Sequence, residues 1–424
     1  MKRKHSFRKL PYLFILLFFW GTSSALAQTQ SIDILEKAKL ANDWFMRHWP
    51  DPAKDTFVRN KVRPSSLWTR AVYYEGLMAL YAIDPQPRYY DYTLRWCEAH
   101  KWTPRNGVTT HDADDYCCSQ TYIDMYRILK GVKEVKGVKE GYLSPTIACM
   151  DNILARGKES DPDWWWIDAI QMGMPVLQKL ARTTGEQKYA EKAWTMYEYA
   201  RNQQDGGLRN PKDGLWWRDK DFNPPYRTPG GKDCYWSRGD GWVAAALVRV
   251  LDEMTPDQPH YKDYLQDLTS MLDALLPLQR EDGFWNCSLA DPTDFGGPEV
   301  TGTSLFLYAM AWCVAHNYLP ADKYLTVMDR AWKAMATCVH PDGFLGWQQG
   351  TGKQPSDSQP VTYDRLPDFD DYGIGCFLLG ATEYAKLVQS SNLEESKKRK
   401  IEKPKSRNLE NPRTRTAERS SPLP

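Results

Sequence analysis

The stretch Asp161–Gln178, DPDWWWIDAIQMGMPVLQ, decides how the rest of the chain reads. Asp161 followed by Pro162 is a helix-start signal, because an Asp oxygen accepts from free N–H groups and Pro suits the first turn. The expectation is a helix from this point on which Trp164, Trp165, Asp168, Gln171 and Met172 share one face. A helix that only filled a core would line that face with Leu, Ile or Val. A single carboxyl among flat indoles is instead a group in a partly dry setting, where a proton is held more readily, and indoles suit the faces of sugar rings. The competing structural reading has Asp168 capping a loop or pairing with an arginine while the tryptophans fill core.

Outward from this stretch, helical spacing continues from about Ser31 to Leu387, with hardly any period-two alternation, so the fold class is all-α. The helices fall into pairs: Ile32 to His48 with Ser66 to Ala82, Tyr89 to His100 with Cys118 to Lys130, and Ser144 to Arg156 with Trp164 to Thr183. Lys188 to Gln204 with Arg238 to Glu253, Tyr261 to Gln279 with Thr301 to His316, and Ala321 to Val339 with Asp371 to Val388 complete the set. Six hairpins of roughly 55–60 residues are the arithmetic of an (α/α)6 toroid, one helix of each pair inside and one outside. Three first helices end in a shared Asp-Gly signal, in QQDGGL, QREDGFW and HPDGFLGW. The longer loops before the second helices carry the chemistry: HDADDY, DPDWWW, CYWSRGDGW, GGPEVTGTS and DFDDYG. If the second helices line the inside, their N-termini converge on one mouth, whose partial positive charge favours a carboxylated ligand.

Composition agrees. Eighteen tryptophans among 13% aromatics exceed the needs of a core and suggest carbohydrate, while a net charge of +1 leaves no electrostatic footprint for nucleic acid. The nine cysteines have no metal-ligand spacing, and their odd number leaves at least one thiol free unless chains pair. No metal and no cofactor is expected. Residues 1–27 read as a secretory signal peptide, with a basic start, an apolar run from Leu10 to Trp20 and Ala25-Leu26-Ala27 as the cleavage pattern. No later run approaches the roughly 20 apolar residues of a bilayer span, so the mature form is expected to be a soluble periplasmic or extracellular protein. Residues 28–388 then form the catalytic domain, and 389–424, rich in Lys, Arg, Glu, Ser and Pro, read as a disordered tail.

Four motifs, WWWIDAIQMGMP around Asp168, YWSRGDGW from Tyr235, GGPEVTGTSLFLYAMA from Gly296 and DYGIGCFLLGATEY from Asp371, stand in order at the starts of successive second helices. With them the chain, over nearly its whole length before the tail, resembles glycoside hydrolase family 105, the unsaturated rhamnogalacturonyl hydrolases and their glucuronyl relatives. The resemblance implies removal of a 4,5-unsaturated uronic acid from the non-reducing end of oligosaccharides left by polysaccharide lyases. It implies that Asp168 is the general acid and base and that Asp114 is the second carboxylate, with Asp115 the rival one residue away. It also implies that Arg238 and the flanking Trp236 and Trp242 shape the subsite for the unsaturated sugar. Asp115, Trp164, Trp165, Trp217, Thr301 and Thr303 complete the expected substrate contacts. Where some relatives carry a histidine after the fourth outer helix, this chain has GLWWRD with Trp216 and Trp217.

The implied chemistry is hydration of an enol ether. Protonation of C4 makes an oxocarbenium ion at C5, water adds there, and the resulting hemiketal opens and expels the aglycone. Rhamnogalacturonan fragments are the default substrate, and ulvan-type fragments with sulfated rhamnose the alternative. A conventional glycosidase, a polysaccharide lyase on the same toroid and a non-catalytic glycan-binding protein remain the other readings, and the oligomeric state is left open.

Overall fold

A computed structural model describes residues 31–58, 61–131, 140–356 and 371–402. The expected signal peptide and the last part of the expected tail lie outside the described residues. Helix α1 covers 31–48. It is followed by α2 Trp68–Ile83, α3 Pro87–Ala99, the short α4 Ala113–Tyr116, α5 Ser119–Gly131, α6 Ser144–Ala155 and α7 Asp168–Thr184. Next come α8 Lys188–Asn202, α9 Ser237–Leu251, α10 Tyr261–Leu275, α11 Val300–Ala315, α12 Ala321–Thr337 and α13 Asp371–Glu402.

Helices α2, α5, α7, α9, α11 and α13 each pack on the next, and α13 packs back on α2, which closes an inner ring. The other helix of each pair lies outside, so the chain is an (α/α)6 toroid. Sequence explains which helix goes where. The inner α11, VTGTSLFLYAMAWCVA, is apolar all round and buried from Val300 to Val314. The outer α10 buries the apolar stripe Tyr261, Tyr264, Leu268, Met271, Leu272 and Leu275, with Asp267 held beside it by Arg201 and Tyr197, and turns Lys262 and Gln266 to water. Ring closure needs a close approach at one seam: a Cβ on Gly375 would stand 2.3 Å from the Val72 carbonyl oxygen, and one on Gly76 would stand 2.5 Å from that of Gly375.

The structure adds detail to the expected pattern and corrects one helix start. A two-stranded antiparallel hairpin, β1 Thr56–Val58 with β2 Lys61–Arg63, stands between α1 and α2; three-residue strands are too short to show an alternating pattern. Helix α13 runs on to Glu402, past residue 389 where the tail is expected to start. Its last turns, LEESKKRKIE, consist mostly of strong helix formers, so a helix already started continues. Finally, α7 starts at Asp168, not at Asp161. Residues Gly157–Asp163 form a 3-10 turn in which Asp161 pairs with Lys192 at 2.5 Å instead of capping a helix.

Candidate active site

The late start of α7 builds the site. Trp164 folds back under the helix, with its ring against Gly173, where a Cβ would stand 2.8 Å from the indole, and its Nε1 donates to the Tyr116 hydroxyl at 2.9 Å. Asp168 is left in the first turn of α7, and Trp165 and Trp166 turn toward a cavity at the N-terminal mouth of the inner ring. This cavity holds about 440 Å³. Asp168 and Met172 line it from inner helix α7, Asp114 from the short α4, Val58, Arg63, Leu67 and Trp68 from the hairpin and the start of α2, and Arg105, Arg218 and Thr351–Lys353 from loops.

Asp168 has a partner that the sequence reading did not name. Arg218 Nε donates to Asp168 Oδ2 at 3.1 Å, and Arg218 Nη1 donates to Asp219 Oδ2 at 2.5 Å. The Arg218 carbonyl accepts from Ile167 N at 3.0 Å, so backbone and side chain together tie the loop after α8 to the start of α7. The guanidinium also lies 5.8 Å from the Trp165 ring centroid. Arg218 stands inside GLWWRD, the segment where a histidine of some relatives was missed, and this departure was the one signal that pointed to it.

Asp114 and Asp115 differ by one residue and face opposite ways. Asp112 caps α4, its Oδ1 accepting from Asp114 N at 3.0 Å, and this aims the half-buried Asp114 carboxyl into the cavity. Burial first, and then the negative charges of Asp112 and Asp168, push the Asp114 carboxyl well above the usual carboxylate range. Asp115 turns inward, paired with Arg105 and accepting from Asn106 Nδ2 at 3.0 Å and Thr110 Oγ1 at 2.5 Å. Its oxygens are taken up within the protein, and Asp115 is not among the residues that line the cavity.

Several other expected contacts lie behind the wall. Arg238, 1% exposed, donates to the Tyr372 hydroxyl at 2.9 Å, to Gln349 Oε1 at 3.1 Å and to the Gly350 carbonyl at 3.0 Å. Its guanidinium is sandwiched between the Trp236 and Tyr372 rings, at 4.4 Å and 4.9 Å. It therefore anchors the loop that presents Thr351–Lys353 rather than lining the cavity itself. Trp236 donates to Gln349 Oε1 at 2.9 Å, and Trp242 meets Trp68 edge-on at 6.2 Å, so Trp242 braces an indole that does line the cavity. Trp217 is buried and donates to Asp233 at 3.2 Å. Thr301 bonds to Glu299, the N-cap of α11, and Thr303 Oγ1 accepts from Trp285 N at 3.2 Å. Of the expected tryptophans Trp165, 48% exposed, lines the cavity, and the sequence reading passed over Trp68 and Trp166 beside it. Trp166 belongs to the DPDWWW segment already singled out, whereas nothing in the local spacing marks Trp68, which reaches the cavity only through the fold.

Among the described residues no group of three or more His, Cys, Asp or Glu side chains is placed to hold a metal, and the nine cysteines are unbridged and buried. Among them, too, no helix is long and apolar enough to cross a membrane. What the cavity offers is a pair of carboxyls, one neighbouring an arginine and one disposed to keep its proton, beside three indoles.

The profile described as Glycosyl Hydrolase Family 88 matches residues 37–388. An unsaturated 3S-rhamnoglycuronyl hydrolase of Formosa agariphila is 30% identical over 338 residues, which cover 76% of this chain and 84% of that protein. Among solved structures, a family 88 glycosyl hydrolase from Bacteroides vulgatus superposes with a TM-score of 0.72 at 26% identity, covering 84% of this chain and 99% of that one. A structure described as a polysaccharide lyase superposes with a TM-score of 0.74, also at 26% identity, covering 85% and 99%.

Proposed function

The chain belongs to Glycosyl Hydrolase Family 88, and on that premise we propose that it removes a 4,5-unsaturated uronic acid from the non-reducing end of lyase-generated oligosaccharides by hydrating the C4=C5 bond. The observation that carries this reading is the pairing of Asp114 and Asp168 on one cavity wall, with Arg218 on Asp168 and with burial and neighbouring negative charge raising the Asp114 carboxyl above its usual range. Hydration of an enol ether needs one proton delivered to carbon and one removed from water, and this pair can hold and return it.

In this mechanism the uronate carboxylate enters the cavity and takes a share of the Arg218 guanidinium, whose planar fork suits a carboxylate. The proton kept on Asp114 passes to Asp168, which delivers it to C4. The electron pair of the double bond forms the new C–H bond, and the ring oxygen stabilises the cation left at C5. Water adds to C5 and gives its proton back to Asp168. The hemiketal then opens by cleavage of its bond to the ring oxygen, and the hemiacetal left at C1 expels the aglycone as an alcohol. Trp68, Trp165 and Trp166 supply flat faces for the rings and exclude bulk water.

For the glycan, the name of the Formosa agariphila relative, with its 3S-rhamnoglycuronyl substrate, favours a fragment with sulfated rhamnose, of the ulvan type, over the rhamnogalacturonan default. The basic and then apolar N-terminus supports export, with residues 28–388 as the catalytic domain. The likeness to a polysaccharide lyase keeps a β-elimination reading in view, and one experiment separates the two. Added to a lyase digest, a hydratase bleaches the ultraviolet band of the conjugated double bond, whereas a lyase increases it. A protein that only binds leaves the band unchanged, and either of the last two results overturns the proposal.

A further inference from the structure

Four cationic side chains line the cavity, and three have carboxylate partners. Arg105 pairs with the buried Asp115, Arg218 with Asp168 and Asp219, and Lys353 with Asp221. The fourth, Arg63, is half-buried at the cavity and has no carboxylate within ion-pair distance among the described residues. Arg63 thus brings to the cavity a positive charge that no described carboxylate balances, an arrangement that favours an anionic ligand group there.

The position of Arg63 decides which group that is. It ends β2, paired across from Thr56 in the hairpin, whose Phe57 and Val62 are 49% and 69% exposed. This is the solvent side of the cavity, whereas Asp168 and Met172 belong to the inner helix α7. An enzyme that works from the non-reducing end places the unsaturated ring inward against the carboxyls, and the next sugar points outward past the hairpin. On the hydrolase reading above, the uronate carboxylate is attached at C5, next to the carbon that is protonated, and so stays with Arg218. We propose that Arg63 is a specificity-determining residue that reads a sulfate ester on the leaving sugar, its planar donor fork engaging two sulfate oxygens while Trp68 carries the ring.

The test uses one unsaturated disaccharide with a sulfated leaving sugar and the same disaccharide after chemical desulfation, with wild type, Arg63→Gln and Arg63→Lys compared on both by loss of the ultraviolet band. The wild type is expected to prefer the sulfated form, and Arg63→Gln to lower that preference by about ten- to a hundredfold in kcat/KM, mainly through KM. Arg63→Lys should retain part of it, since it keeps charge and loses the fork. The desulfated substrate and the melting temperature report whether each variant is folded. An equal loss on both substrates assigns Arg63 to the uronate carboxylate they share and overturns the proposal, as does an unchanged preference. A wild type that bleaches neither disaccharide overturns the hydrolase reading, and the subsite with it. A wild type that bleaches both alike overturns the subsite alone.

Discussion

Asp168 Oδ2 accepts from Arg218 Nε at 3.1 Å, an ion pair joining the first turn of inner helix α7 to the loop after outer helix α8. The structural alternative that the sequence left open, an arginine on Asp168, is thus met, and it does not displace the chemical one. The same carboxyl lines the cavity beside Asp114. On the mechanism proposed here, the arginine is the group that the substrate carboxylate must share, so substrate binding and readiness of the acid are linked.

Replacing Asp168 by Asn keeps size and part of the hydrogen bonding but leaves no group to deliver the proton. Turnover is expected to fall by ~10²–10⁴, as for a lost general acid, while oligosaccharide binding survives. Single-turnover bleaching alongside calorimetric binding checks this, and near wild-type bleaching by the variant would transfer the role to Asp114.

For Arg218, Arg218→Gln leaves Asp168 without its cationic neighbour and the uronate without its fork, and kcat/KM is expected to drop by about a hundredfold. Arg218→Lys should recover only part, with the remaining loss in KM. Equal kinetics for Lys and Arg at this position would show that charge alone matters.

Asp114 gives a pH prediction. An acid whose folded-state pKa lies above its unfolded value is protonated in both states in strong acid, so its contribution to stability is complete there. As pH climbs through the raised folded-state value, charge is forced onto a half-buried carboxyl beside Asp112 and Asp168 and stability falls. Wild type should therefore lose melting temperature from the acid toward the neutral range more steeply than Asp114→Asn, which stays uncharged. Activity of the wild type should decline over the same interval because the stored proton is lost. Parallel melting curves for the two proteins would refute the assignment of that proton.

Arg238 separates structure from recognition. Its donors are used by Gln349, Gly350 and Tyr372, so Arg238→Lys should lower the melting temperature and loosen the Thr351–Lys353 loop, with a rise in KM for every substrate, sulfated or not. Each lost hydrogen bond from the charged group is worth about 1.5–3 kcal/mol. A KM effect with unchanged stability would return Arg238 to direct substrate contact.

At the seam of the ring, Gly375→Ala places a methyl group 2.3 Å from the Val72 carbonyl oxygen, which only separation of α2 and α13 can relieve. Overpacking of this kind costs about 1–3 kcal/mol, readable as an earlier unfolding midpoint in denaturant. An unchanged midpoint would mean that the seam opens freely.

The sequence by itself determined the toroid and the family likeness. Apolar periodicity and apolar totality are local properties: α10 carries one buried stripe and α11 has no polar face, so their outer and inner places are written in their own residues. The motif around Asp168 was equally legible, because a carboxyl among tryptophans conflicts with simple core filling. Tertiary structure decided which side chains reach the cavity. Asp114 and Asp115 are both acids in the same short helix, and only the cap from Asp112 and the waiting Arg105 sort one outward and one inward. Trp164, read as part of the helix face with Asp168, is drawn under Gly173 because a buried indole with a hydrogen bond to Tyr116 is worth more than an extra helical turn. Arg218, Arg63 and Trp68 come from different segments, and apart from the unusual GLWWRD around Arg218 no local pattern marks them, because ring closure alone brings them to one cavity. Periodicity records which face of an element is dry; the meeting of side chains from different elements at the mouth depends on packing, which exists only once the ring has closed.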